Sequence, residues 1–497
     1  MRSKIFLPEK GNAESRDHFI NYRSITYILG WIMRVEGVFL RLPVIVALIY
    51  GEDIWTIYLI CAFLTLAIGV LLSLKRSGNF RLFAREGYVA VALGWVVMSL
   101  IGALPLWLTG DIPHFVDALF EIISGFTTTG SSILVDVEAL SRGGMFWRCF
   151  SHWIGGMGVL VFLLQIIPLS SGQTMYLMRA ESPGPSVSKL VPRVRETALV
   201  LYGIYIAMTA LEIFFLLIGG MPLFDTLCTT FGSAGTGGFA IWSDSMARYS
   251  PYLQIVVTIF MFLFGVNFSF YYLLLTKRVK EAFQIEEVKA YFGIFAAATV
   301  LIALNILSQV GNLADSFRHA AFQVSSVMTT TGFATTDFNK WPEFSRTLLV
   351  LLMFIGACAG STGGGIKVSR ILIYLKTIKK ELAFLVHPRS VKVVMMDGKR
   401  TEHTVVRAAN IFLITYLGIL ALSILVVSLD GSDFTTTVTA VITALNNVGP
   451  GLSLVGPMGN FAFFSDLSKF VLMFDMLAGR LEIFPLLLLF VPYTWKK

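Results

Sequence analysis

About ten stretches of roughly 20 mostly apolar residues run through this chain, each long enough to cross a bilayer as a helix. They lie near residues 25–50, 54–74, 87–108, 147–169, 198–219, 252–275, 291–310, 347–377, 406–429 and 467–492. Apolar runs of this length and number predict an all-α integral membrane protein, because lipid offers no partner to a backbone group left unpaired. Composition agrees, since 56% of the 497 residues are hydrophobic, 14% are charged and the mean hydropathy is +0.74. Soluble globular chains lie outside that range. An even number of spans puts both termini on one side.

The net charge of +8 does not call for nucleic acid, because Lys and Arg gather in alternate connections. One set holds Lys75, Arg76, Arg81 and Arg85; Lys189, Arg193 and Arg195; Lys277, Arg278 and Lys280; and Lys376, Lys379, Lys380, Arg389, Lys392, Lys399 and Arg400. The opposite connections are poorer in base, with Arg142 and Arg148, Arg248, Arg318 with Lys340 and Arg346, and Lys469. The positive-inside rule places the first set and both termini in the cytoplasm. Cys61, Cys149, Cys228 and Cys358 stand in or beside apolar segments without metal-ligand spacing, so they read as small core residues. The polar first 24 residues, with no small-x-small site after the first apolar run, predict that this run stays as an anchor.

Four connections on the base-poor side repeat one pattern. Each begins on an acid (Asp117, Asp225, Asp315 or Asp433), continues as a short semi-apolar helix, and ends in a Thr/Asn/Gly turn at Gly130, Gly237, Gly332 or Gly449. These glycines recur at roughly a hundred residues, which accommodates one span, one half-helix and one further span. A half-helix of about 10 to 14 residues cannot cross a bilayer and must turn back. Non-helical backbone at membrane depth is tolerated only inside protein or against water, so four such turns imply one shared polar cavity. The predicted units are an N-terminal tail and extra hairpin (1–80) and four membrane-pore-membrane repeats with re-entrant half-helices (81–175, 190–282, 285–385 and 400–497), the third with an intramembrane loop.

A dehydrated cation needs several oxygen ligands at once, and backbone carbonyls supply them without burying a compensating charge. Aiming successive carbonyls at an axis calls for a residue that tolerates positive φ, and the four glycines stand where that is needed. The C-terminal ends of four short helices pointing inward favour a cation further.

The motifs Thr-Thr-Thr-Gly-Ser at 127–131, Thr-Gly-Gly-Phe at 236–239, Thr-Thr-Thr-Gly-Phe at 329–333, Asn-Asn-Val-Gly-Pro-Gly at 446–451 and Ala-Gly-Ser-Thr-Gly-Gly-Gly-Ile-Lys at 359–367 carry a family resemblance. From about residue 25 onward the chain resembles the Trk/Ktr/HKT superfamily of potassium transporters, most closely its bacterial TrkH/TrkG branch. The resemblance implies a pseudo-fourfold pore in a bacterial plasma (inner) membrane. It places the ion-lining strands at Thr128, Thr129 and Gly130; Gly235, Thr236 and Gly237; Thr330, Thr331 and Gly332; and Asn447, Val448 and Gly449. Gly130, which is serine in some sodium-transporting plant members, argues for potassium. The four strands are not identical, which points to looser selectivity than in tetrameric potassium channels.

Two features stand apart from the repeats. The run from Gly356 to Lys367 should break its span near mid-membrane. It lacks the adjacent Gly-Lys-Ser/Thr of a nucleotide-binding loop. Close helix packing through small residues is one reading. A flexible flap beneath the filter, formed by Gly360, Ser361, Thr362, Gly363, Gly364, Gly365 and Lys367, is the reading that the resemblance implies. Arg480 lies in the last span, where a charge is expensive unless it faces protein or water. It reads either as an ion pair with Asp475 or Glu482, or, from the resemblance, as a cation-repelling residue beside the flap. Arg34, Glu36 and Arg41 on the first span are expected to pair or to reach the interface. His152 and His319, without a second ligand at metal spacing, are expected in packing or a hydrogen bond.

An intramembrane enzyme is the rival from another class, but no Gly-x-Ser-x-Gly or His-Glu-x-x-His motif occurs. A secondary transporter is the nearer rival, although such proteins usually show two long repeats rather than four in one orientation. No cofactor is expected on this chain, with potassium ion as substrate and no transition metal. The resemblance further implies a homodimer and a peripheral cytoplasmic nucleotide-binding ring protein of the TrkA type. The basic stretch from Lys376 to Arg407 suits that partner or anionic membrane lipid equally.

Overall fold

The computed structural model describes residues 20–74, 84–158, 194–389 and 392–495. The N-terminal hairpin forms as expected. Helix α1 (Tyr22–Phe39) runs on through Leu40 into α2 (Arg41–Tyr50), and α3 (Trp55–Ser73) returns against α1. The two approach closely because Gly37 carries no side chain; a Cβ there would stand 2.9 Å from the Leu66 amide nitrogen. Of the two expectations for Arg34, Glu36 and Arg41, mutual pairing is not seen among the described residues, and Arg41 is exposed. Arg34 donates to the Val70 carbonyl at 3.3 Å and lies 4.7 Å from the centre of the Trp31 ring, while Glu36 is buried with neither carboxylate oxygen hydrogen-bonded.

Beyond the hairpin, the described residues form four repeats of a long helix, a half-helix and a second helix. The first repeat is α4 (Ala84–Leu108), α5 (Phe115–Phe126) and α6 (Arg142–Met157). The second is α7 (Val194–Ile218), α8 (Leu223–Ala234) and α9 (Pro251–Phe264), continued by α10 (Phe268–Leu275). The third is α11 (Glu286–Val310), α12 (Leu313–Met328) and α13 (Glu343–Ile355), continued by α14 (Val368–Val386). A small antiparallel pair follows, β1 (Met395–Met396) with β2 (Lys399–Arg400). The fourth repeat is α15 (His403–Val427), α16 (Phe434–Asn446) and α17 (Asp466–Arg480).

Packing closes these repeats into a ring. Each second helix lies on the half-helix of the next repeat: α6 on α8, α9 on α12, α13 on α16, and α17 back on α5. The half-helices have 12, 12, 16 and 13 residues. Among the described residues, five helices are long and apolar enough to cross a membrane, and they coincide with α3, α4, α7, α11 and α15.

The second helices depart from the continuous spans read in the sequence. They have 16, 14, 13 and 15 residues, which at about 1.5 Å each falls short of the roughly 30 Å of hydrocarbon. Helix α9 turns by 91° into α10, whose first turn is capped by Asn267 accepting from the Ser269 amide at 2.8 Å. Helix α17 ends in a turn with Glu482 at φ 57° and Ile483 at φ 68°. Helix α6 ends at Gly158, φ 79°, and the remainder of that expected span lies outside the described residues. The interruption expected for the third repeat is thus shared. It is tolerated because other elements satisfy the freed carbonyls: Gly265 O accepts from the Cys358 amide, and Ile355 O from the Lys367 amide, both at 3.0 Å.

Candidate functional site

The four half-helices deliver their C-terminal ends to one place, and the backbone beyond each follows the same course. Thr128, Thr236, Thr330 and Asn447 take left-handed conformations with φ between 54° and 59°. Two residues later Gly130, Gly238, Gly332 and Gly449 do so again, at 82°, 74°, 95° and 99°. The amides of Thr129 and Gly130 donate to Ser124 O, those of Gly237 and Gly238 to Gly232 O, and those of Thr331 and Gly332 to Ser326 O. The second strand is therefore shifted by one residue from the register read in the sequence. Gly238, not Gly237, is the counterpart of Gly130, and Gly235 stands before the strand as the C-cap of α8, where Thr127 and Thr329 cap α5 and α12.

The glycines close the ring. A Cβ on Gly130 would run into the Gly237 carbonyl oxygen, one on Gly238 into Thr331 O, and one on Gly332 would lie 2.5 Å from Val448 O. A Cβ on Gly449 would lie 2.8 Å from Thr129 O, which returns to the first repeat. Each seam brings the carbonyl before one glycine against the bare α-carbon of its neighbour, so the four strands form a cycle of backbone oxygens. Three β-branched residues held at positive φ cost about 1–3 kcal/mol each. Thr127 and Thr129 share a hydroxyl contact at 2.8 Å, Thr329 and Thr331 one at 2.7 Å, and the Asn447 side-chain Nδ2 donates to Thr129 Oγ1 at 2.9 Å. These contacts brace the first, third and fourth turns.

Behind the first two strands lies a buried network that sequence reasoning missed. Arg148, counted there with the base-poor exterior connections, is 2% exposed and donates to the Glu121 carboxylate at 2.6 Å. Glu121 also accepts from Ser132 Oγ at 2.8 Å and the Ile133 amide at 2.9 Å, while Arg148 reaches Ala240 O at 2.9 Å and lies 3.6 Å from the Phe239 ring centre. The pair thus ties α5 and α6 to the segments leaving both strands. His152 bridges the same seam. Its Nδ1 lies 2.7 Å from Gly125 O and its Nε2 accepts from the Phe239 amide at 3.1 Å, which fixes a neutral ring protonated at Nδ1. His319 contacts Thr335 Oγ1 at 2.9 Å, the hydrogen-bonding role expected of it.

Residues 356–367 sit between this ring and the opposite end of α11. The Gly364 amide donates to Thr330 Oγ1 at 2.6 Å and the Gly365 amide to Asn446 O at 3.1 Å, so the loop touches the third and fourth strands. Gly360 O accepts from the Phe268 amide at 3.0 Å, Ser361 Oγ donates to Cys358 O at 2.7 Å, and Lys367 Nζ bonds Gly363 O. Arg480 completes the arrangement. It donates to Thr362 O at 2.9 Å and Gly156 O at 2.8 Å, bonds Gly155 O, and lies 3.4 Å from Thr128 Oγ1. Gly155 and Gly156 end α6, where the helix dipole is negative and a cation is favoured. One guanidinium therefore pins the loop to the first repeat. Glu482 pairs with Arg370, and Asp475 accepts from Ser423 Oγ at 2.8 Å.

The residue pattern of TrkH, described as a cation transport protein, matches residues 56–497. The chain belongs to the TrkH family. It is 36% identical over 490 residues to the Trk system potassium uptake protein TrkH of Salmonella typhimurium, covering 96% of this chain and 100% of that relative. The Escherichia coli K12 proteins TrkH and TrkG are 34% and 33% identical over 490 and 482 residues, covering 96% and 95% of this chain and 100% and 99% of theirs. Among solved structures, the potassium transporter TrkH from Vibrio parahaemolyticus superposes with a TM-score of 0.86 at 32% identity, over 96% of this chain and all of that one. The chain thus shares its fold with that structure.

Proposed function

We propose that the chain takes up potassium ions across a bacterial plasma membrane through a channel-like pore whose selectivity ring is built by residues 128–130, 236–238, 330–332 and 447–449. The observation that carries this reading is the closed cycle in which each strand glycine meets the next strand's carbonyl. Such a cycle offers rings of backbone oxygen at the negative ends of four half-helices, the chemistry that replaces a cation's hydration shell. The potassium uptake named for the relatives agrees with it. The loop 356–367, held by Arg480, is the gate. Both termini face the cytoplasm, where the exposed Lys379, Lys392, Lys399, Arg400 and Arg407 offer a surface for a nucleotide-binding ring partner or for anionic lipid, and the chain works as a homodimer.

The test is rubidium uptake in a bacterium deficient in potassium uptake, comparing wild type with Gly130→Ser. The added side chain meets the Gly237 carbonyl, so the variant should lose uptake and sodium discrimination. Unchanged rate and discrimination in normally expressed protein would refute the ring assignment. Saturable uptake that strictly follows a sodium gradient would replace the channel-like reading with coupled transport.

A further inference from the structure

Glu287 lies in the first turn of α11, is 5% exposed, and takes no part in the ring or in the Arg480 contacts. Its Oε1 accepts from the Ala359 amide at 2.7 Å and from the Ser369 amide at 3.0 Å. Those two amides bracket the loop, one entering it and the other opening the helix that leaves it. Helix α14 cannot cap itself, because its N-cap residue is Lys367, at φ 85°, whose side chain makes no capping bond. A lysine ammonium is a donor, and the orphan amides of a helix start need an acceptor. Glu287 supplies that cap from another helix, with a negative charge at the positive end of α14.

The carboxylate is held in place from the outside. Asp397, at the turn between β1 and β2, accepts from the Glu286 amide at 2.8 Å and so caps α11. Lys376 on α14 pairs with Glu286 and donates to Met395 O at 2.7 Å. The start of α11 and the first half of α14 are therefore fixed to each other, with Glu287 beside the junction.

We infer that Glu287 is a positioning residue that clamps both ends of the loop 356–367 and thereby stabilises the loop's position against the ring, an inference that rests on the loop being the gate. Arg480 holds the loop's middle at Thr362 and Glu287 holds its ends. Both must be released for the loop to withdraw. The contacts are charge-assisted bonds to backbone, so they favour one loop position without reading side-chain identity.

The loop carries its own reporter, since Cys358 is fully buried one residue before the clamped Ala359 amide. In the full-length chain in cells, Glu287→Ala should raise basal rubidium uptake by about tenfold, the factor that 1.4 kcal/mol of lost closed-state preference produces. It should leave rubidium over sodium discrimination unchanged and speed labelling of Cys358 by a membrane-impermeant cationic thiol reagent in inside-out vesicles, read by peptide mass spectrometry. Glu287→Gln, which keeps an acceptor oxygen but loses the charge, should fall between the two and serves if the alanine variant does not accumulate. Cys358 labelling at the wild-type rate in a folded variant would overturn the clamp. Raised labelling with uptake unchanged in both Glu287→Ala and Arg480→Ala would uphold the clamp and refute the loop as the gate.

Discussion

The two halves of the helix ring obey different rules. In the ring that the C-terminal ends of the half-helices lead into, the four repeats are equivalent in backbone, down to matching left-handed residues and matching glycine-to-carbonyl seams. On the other side they are not: one end of one second helix bears Arg480, one junction is the loop 356–367, and one turns by 91°. The proposed selection of an ion by its shell of oxygens is a symmetric task, which four similar strands would serve. The proposed gate needs only a single obstruction, and the symmetry is broken where the loop 356–367 and Arg480 sit.

The sharpest way to break the comparison is at a seam whose sequence looks least like the others. Gly449 follows Asn447 and Val448, not a threonine run, yet a Cβ on it would stand 2.8 Å from Thr129 O at φ 99°. Gly449→Ala should therefore match Gly130→Ser, with uptake reduced at least roughly tenfold and sodium discrimination lost. Measured rubidium uptake near wild type would show that the fourth strand is not an equal member of the ring.

Next in size is the buried pair behind the first two strands. Arg148→Met leaves Glu121 as a buried carboxylate without its cation, a change worth about 3–5 kcal/mol in comparable pairs. The purified variant should show a markedly lower apparent melting temperature in detergent. Adding Glu121→Gln should recover part of the loss, because the pair couples through direct contact. A double variant as unstable as the sum of the singles would remove the ion pair from the account of the ring.

The inner half should respond in the opposite sense. Arg480 holds Thr362 and the end of α6, so Arg480→Ala should raise basal uptake, by about tenfold if it removes 1.4 kcal/mol from the closed state. Uptake unchanged or reduced at normal expression would argue that the guanidinium only braces the helix ends.

How much of this was legible in the sequence follows the same division. Length and apolarity announced the long helices, and the repeated acid, half-helix and glycine announced the ring, because each is a local pattern. The register of the second strand was not legible, since Gly237 and Gly238 are adjacent and only the backbone bonds to Gly232 O separate them. The left-handed threonines ran against propensity, which disfavours β-branched residues there. The C-terminal ends of α9 and α17 carry no proline, and the Gly265 carbonyl freed beyond α9 is met by the Cys358 amide, far along the chain. Glu121 with Arg148, and Glu287 with Ala359 and Ser369, are contacts between segments 27, 72 and 82 residues apart, and no spacing rule reaches that far.

The smallest effect separates stability from selection within the symmetric half. The acid that opens each half-helix looked equivalent in the sequence, but the structure gives it different work. Asp117 pairs with Lys469 at 2.6 Å, Asp225 accepts from Tyr249 at 2.8 Å, and Asp315 pairs with Arg318 at 2.6 Å. Asp433 is the N-cap of α16 and accepts from the Thr436 amide at 3.0 Å. Bonds from the Thr436 hydroxyl and amide hold its carboxyl below the usual carboxylate range. A depressed value means that the bonds stabilise the fold above the unfolded pKa of about 3.9 and are lost as the pH falls through the folded value. Asp433→Ala should cost about 1 kcal/mol at pH 7, the usual worth of such a cap, with ion discrimination intact. The difference in apparent melting temperature between wild type and variant should shrink in detergent at pH 3 relative to pH 7. A variant that instead lost discrimination would mean that the start of the half-helix, and not the ring alone, sets the spacing of the carbonyls.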